Sequence, residues 1–261
     1  MMKDSDYIRH LKIIEQMAND VGKNVRTEIR NPKNKYVYDA RVSTFFLIAQ
    51  VVRWFKISLI LKEERLNDPR WYKTRYLLKH EQQQPEIGYV PFKGEKGRGL
   101  MMPEINDYQL ILIKEFKEVM RVAYSQVLYS IVESKLRLFL MTAYPDALEK
   151  RKKRDRRDIF SNVYKCLLEE AGKTQYEHLI WFFSLIRNTI HNNGKYWNKG
   201  MPCVCTKYKG TIFKFEHVKM VTLPDDAMKW LLLYITPDVI DMMEDIILNT
   251  KLKIPEPAAQ P

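Results

Sequence analysis

Arg187 and His191 stand four residues apart in the stretch Arg187-Asn188-Thr189-Ile190-His191-Asn192-Asn193-Gly194, directly after an apolar run from Leu179 to Ile186. At that spacing two side chains of a helix lie one above the other. A permanent cation and a proton-transfer group are thus delivered together at a helix end. Such a pair suits the cutting of RNA without a metal. A base takes the proton of a 2′-hydroxyl, the oxygen attacks the adjacent phosphorus, and the transition state gathers negative charge. Histidine suits the proton transfer, and a forked guanidinium suits the phosphorane oxygens. Asn188 and Asn192 are placed to order the imidazole or to bind a phosphate oxygen. The same residues also have a plain structural reading: a basic pair in a last turn caps a helix, and Asn-Asn-Gly ends one.

Glu133 is the carboxylate that bears on this pair. It lies on a helical flank with Val122, Leu136 and Leu140, and a half-buried carboxylate needs a cation. Arg137, one turn on, is one partner. Arg187, on the next core helix, is the other, and that pairing would orient its guanidinium.

The elements that must position these residues are mostly helical. Apolar positions repeat at helical spacing over residues 4–30 (Ile8, Leu11, Ile14, Met17) and again from Tyr36 to about Arg65, separated by Asn31-Pro32-Lys33-Asn34. Asp68-Pro69 is a further helix start, and 82–104 reads as a loop. Its Gly94 to Gly99 stretch lacks the GK[ST] and flanking strand of a phosphate loop. The longest helix is expected from Asn106 to about Ala143, capped by Asn106 or Asp107 and ended by Tyr144-Pro145-Asp146. A helix from Asp158 to Ala171 stops at Gly172, and the motif helix runs from Thr174 to about Asn192 with Thr174 and Glu177 as a capping box. The period then changes to alternation, predicting a β-hairpin at about 204–221 turning at Lys209-Gly210. A C-terminal helix begins at Leu223-Pro224-Asp225-Asp226, is kinked or split at Pro237, and is followed by a frayed tail over 254–261. The fold class is therefore mainly α: a helical bundle with a long core helix and one small β-hairpin near the C-terminus. Residues 1–261 read as a single helical domain, comprising an N-terminal portion (1–103) and a helical core (104–250).

Composition bounds the function. The chain has 261 residues, 46% of them apolar, which is a globular balance, and a formal net charge of +12, which suits a polyanionic partner. Seven of the eight residues in Lys150-Arg151-Lys152-Lys153-Arg154-Asp155-Arg156-Arg157 are basic. That run either neutralises phosphates with strong salt dependence or is a solvated linker, and no aromatic interleaves it to stack a base. Three cysteines, Cys166, Cys203 and Cys205, do not read as a disulfide framework. Cys203-Val204-Cys205 is too short for a usual zinc knuckle, so neither metal nor cofactor is expected. The N-terminus lacks the apolar segment of a signal peptide. The apolar run from Val42 is broken by Arg53 and Lys56, short of the roughly 20 residues of a membrane span, so a cytoplasmic protein is expected.

Arg187-Asn188-Thr189-Ile190-His191, together with Ser125-Gln126-Val127-Leu128-Tyr129-Ser130-Ile131-Val132-Glu133-Ser134 on the long helix, resembles the less characterised bacterial members of the HEPN superfamily, over roughly residues 105–250. The resemblance implies a helical bundle, a homodimer meeting across the motif helices, and a metal-independent endoribonuclease of a defence or toxin–antitoxin system, or an RNA-binding remnant of one. It makes Arg187 the phosphate-binding residue, Asn188 the ordering polar residue and His191 the acid/base. The Arg-to-His gap is one residue shorter than the family's usual minimum, so Asn192 occupies the usual first His position and His191 is turned by about 100° on the helix. Two other readings stand beside it: a non-catalytic helical dimer with a protein partner, and a nucleic-acid-binding module that uses the 150–157 run.

Overall fold

A computed structural model describes residues 4–29, 39–66, 68, 105–147, 149, 160–192, 195–198, 200–219, 230–249 and 254. The helices are α1 (Asp4–Glu28), α2 (Ala40–Leu61, running into a π-helical turn Lys62–Leu66), α3 (Ile105–Ala143), α4 (Phe160–Glu170), α5 (Glu177–His191) and α6 (Thr236–Asn249). Strands β1 (Cys203–Tyr208) and β2 (Thr211–Glu216) form one antiparallel pair. The fold is mainly α with a small hairpin near the C-terminus. The Asp68-Pro69 helix beyond residue 68, the loop 82–104, the Lys150–Arg157 run, Asn193-Gly194, the Leu223–Asp226 helix start and the tail after Ile254 lie outside the described residues.

The chain divides into two compact units, 57–121 and the remainder. The smaller holds the end of α2, its π-helical turn and the first part of α3, with Leu59 fully buried. In the larger, α1 packs against α6, so the N-terminal helix shares a core with the C-terminal elements. Tyr7, Leu11, Ile14, Ala18, Val21 and Val25 are its buried stripe, at the spacing of one helix face. Gly22 lets α1 approach α2 closely, since a Cβ there would stand 3.1 Å from Phe45 Cβ.

Asp39 begins α2. Its carboxylate accepts from the backbone N–H of Arg41 at 2.9 Å and from the Arg41 guanidinium at 2.7 Å, so one side chain caps the helix and neutralises a buried cation. The N–H of Ala40 donates to the carbonyl of Ile254 at 2.8 Å, returning the end of the chain to the start of α2. Ala40–Arg65 contains an 18-residue window of mean hydropathy 1.6, so by length and composition alone this helix passes as a membrane span. Phe45, Ile48, Val52 and Phe55 are nonetheless buried in the protein core, and Arg53 and Lys56 both pair with Glu15 of α1.

Other boundaries depart from the sequence reading for local reasons. Asn106 and Asp107 lie inside the first turn of α3, which starts at Ile105, and so are not its caps. No capping box forms at α5: Thr174–Tyr176 is a 3-10 turn, neither it nor α5 has a side-chain cap, and Glu177 pairs with Lys165 of α4 at 2.7 Å. Asn192 has φ −99°, and the left-handed ending expected of Asn192-Asn193-Gly194 falls on Asn193 and Gly194, outside the described residues. Gly172 behaves as expected. It sits at φ +66°, with Lys173 N–H bonded to Leu168 and Gly172 N–H to Glu169, a Schellman ending. Lys209 and Gly210 both take positive φ, the type I′ turn that matches strand twist, and the paired strands end at Glu216, short of 221. Ahead of Pro237, Leu231–Ile235 widens into a π-helical turn, and Thr236 N–H reaches back to the Leu231 carbonyl. The helix thus absorbs the proline without splitting.

Two outcomes follow. Gly22→Val should lower stability by about 1–3 kcal/mol through overpacking against Phe45, while Gly22→Ala loses less, because alanine regains about 1 kcal/mol of helix propensity; urea midpoints of the two variants measure the difference. Burial would raise the Glu15 carboxyl, but hydrogen bonds from Lys56 and Arg53 outweigh it and hold it below the usual range. A depressed carboxylate stabilises above its unfolded pKa, and the contribution is lost as pH falls through the folded one. Glu15→Gln should therefore be less stable than wild type at neutral pH and converge with it in acid, as chemical denaturation across pH would show.

Candidate functional site

Helix α5 positions the pair singled out by sequence. Its sequence, Glu177 to His191, places Phe182 on one side and Phe183, Ser184 and Arg187 on another. Phe182 is fully buried against the hairpin: its ring lies 4.5 Å from Tyr208, stacked, and 4.8 Å from Phe213, edge-on. His178 Nε2 adds a contact of 2.9 Å to Thr206 Oγ1. At the turn end of β1, Tyr208 donates to Asp238 of α6 at 2.6 Å and Lys209 pairs with the same carboxylate at 3.0 Å. A cavity of about 350 Å³ opens there, lined by Tyr176, His178, Tyr208, Lys209, Asp238 and Asp241. Tyr176 in turn donates to Asp245 at 2.8 Å, and burial with that carboxylate beside it pushes its phenol up to about 12.

The opposite side of α5 builds a polar–aromatic layer with α3 and α4. Tyr129 of α3 is its centre. Its ring packs edge-on against Phe183 at 5.1 Å and Phe160 at 5.6 Å, and its hydroxyl lies 3.0 Å from Ser184 Oγ. The Arg187 guanidinium sits over the Tyr129 ring, 5.3 Å from its centroid, and the Arg137 guanidinium lies over Phe160 at 5.8 Å. Burial, with Glu133 nearby, pushes the Tyr129 phenol up to about 12. It is therefore a neutral hydroxyl at physiological pH.

Of the sequence-predicted site residues, Glu133, Arg187, Asn188 and Asn192 have described side chains. Glu133 bonds to Arg137, at 2.9 and 3.2 Å; the pairing one turn along α3 forms, and no ion pair between Glu133 and Arg187 is seen among the described residues. Arg187 instead donates to Asn188 Oδ1 at 3.0 Å, and Asn192 Nδ2 donates to the Asn188 carbonyl at 2.8 Å. The Asn188 side chain thus meets Arg187, and its backbone carbonyl meets Asn192. His191 is the last residue of α5, one turn beyond Arg187; its side chain lies outside the description, as do Lys150, Arg151, Lys152, Lys153, Arg154, Arg156 and Arg157. Sequence reasoning missed Tyr129 and Phe160 as the bed of the two guanidiniums. Their signal was the spacing of Tyr129, Glu133 and Arg137, which puts all three on one face of α3.

The arrangement offers two cations stacked on adjoining rings, of which, among the described residues, only Arg137 is paired with a carboxylate. No family model, curated protein or solved structure gives a significant match to the chain.

Tyr129→Phe should cost about 1 kcal/mol, the value of one lost hydrogen bond to Ser184. Tyr129→Leu should cost more, because Arg187 also loses its ring. Guanidinium denaturation of the pair separates the two contributions.

Proposed function

We propose that the protein acts on RNA at the C-terminal end of α5, as a metal-independent endoribonuclease of HEPN type. One observation carries this reading. Arg187 is held at a helix end by an aromatic ring and an asparagine, and among the described residues no carboxylate neutralises it. A guanidinium fixed in place with N–H groups to spare is a phosphate receptor. The net charge of +12 supports a polyanionic partner.

In the proposed reaction Arg187 binds the scissile phosphate and stabilises the charge that grows on its oxygens. His191 takes the 2′-hydroxyl proton. The 2′-oxygen bonds to phosphorus, the bond to the 5′-oxygen breaks, and a protonated group returns a proton to that leaving oxygen. The products are a 2′,3′-cyclic phosphate and a 5′-hydroxyl. One helix supplies one such pair, so a second copy meeting it across α5 supplies the second acid/base. The basic run Lys150–Arg157 adds contacts to the RNA backbone.

The test is incubation of the purified protein with tRNA and mRNA in EDTA, with the ends of any fragments analysed. Cleavage leaving cyclic phosphates is expected. Arg187→Ala and His191→Ala should each slow it by about a hundredfold or more, and Arg187→Lys should not restore it. Wild-type rates in both alanine variants would remove the catalytic reading. Salt-dependent binding without cleavage would leave a non-catalytic RNA-binding protein.

A further inference from the structure

The two exposed cysteines sit together. Cys203 and Cys205 both lie on the outward face of β1, whose residues alternate exposed and buried, and both are free thiols. Lys214 of β2 is the register partner of Cys205, and Glu216 that of Cys203. Glu216 is shared by Lys214 and Lys219, each at 2.9 Å, so this face keeps a net positive charge. Lys214 is held above its usual range by its bond to Glu216, with further contributions from the sulfurs of Cys203 and Cys205; the ammonium therefore lies within electrostatic reach of both.

Geometry decides what two such thiols can do. Alternate residues of a strand are about 6.7 Å apart with parallel Cα–Cβ bonds. A disulfide needs Cβ atoms about 3.8 Å apart, which would break the ladder. Two sulfurs leaning toward each other instead reach about 4.6 Å, twice a metal–sulfur bond of about 2.3 Å. That is the span of a two-coordinate ion. Zinc wants four ligands, and among the described residues no group of three His, Cys, Asp or Glu could hold a metal. A soft monovalent ion is satisfied by two thiolates. Its complex carries one negative charge, which the lysine-rich face neutralises.

We propose that Cys203 and Cys205 form a surface site for one copper(I) ion, with Lys214 as the charge-compensating residue. Binding converts two thiols and Cu(I) into a bis-thiolate complex and releases two protons, without redox change. Affinity therefore falls in acid, because protons compete with the ion for the sulfurs.

The test is anaerobic titration of the whole protein with Cu(I) against a chromophoric Cu(I) chelator, following sulfur-to-copper ultraviolet absorption. About one ion per chain is expected, with the absorption lost in Cys203→Ser and in Cys205→Ser and kept in Cys166→Ser, whose thiol is buried. Lys214→Gln should weaken binding by about tenfold, and Lys214→Arg should restore it. Circular dichroism confirms that each variant is folded. One ion retained in the double serine variant, one ion per two chains, or loss in Cys166→Ser would each overturn the proposal.

Discussion

The packing of α5 on two sides at once is the constraint on which the rest of the larger unit depends. Phe182 is sealed by the rings of the hairpin, and Phe183, its neighbour in sequence, by Tyr129. Burying each ring contributes roughly 2–3 kcal/mol, and the two directions differ by about 100° around the helix. α5 therefore cannot rotate without breaking one contact or the other. The position of Arg187 follows from this: one turn after Phe183, it has only the Tyr129 face to cover.

The charges are arranged to match. Arg137 and Arg187 lie on adjoining rings without competing for the same carboxylate, because Glu133 is one helical turn from Arg137 and reaches it along α3. Such a local pair costs little conformational entropy to form. Among the described residues, the Arg187 guanidinium is therefore ordered by the Tyr129 ring and the Asn188 amide and not by an ion pair. Its orientation should thus be less sensitive to salt than that of a surface salt bridge.

The fold was legible in the sequence where local chemistry dominates. The apolar periods gave the helices, Lys209-Gly210 gave the turn, and Gly172 the end of α4. The misses concern partners that spacing alone does not reveal. Thr174 and Glu177 have the spacing of a capping box, but Lys165 on α4 takes the carboxylate. Asp39 caps α2 while neutralising Arg41, and nothing around Asn31-Pro32 announces it. For the site, the spacing of Arg187, Asn188 and Asn192 was readable because they belong to one helix. The Tyr129 ring under Arg187 was not, because 58 residues separate them and only tertiary packing joins them.

The bond between Ala40 N–H and the Ile254 carbonyl, with the packing of α1 on α6, has a consequence for how the protein is made. The N-terminal helix leaves the ribosome long before the surface it covers exists. At about 5–20 residues per second, the interval from α1 to the end of α6 is roughly 10–50 s. Throughout it the apolar stripe of α1 from Tyr7 to Val25 lacks its α6 partner, whereas α2 meets α3, through Phe55 and Tyr124, once residue 143 is made. The close crossing that Gly22 permits between α1 and α2 is a contact whose two halves are both made early, so part of the α1 surface can be covered before α6 exists.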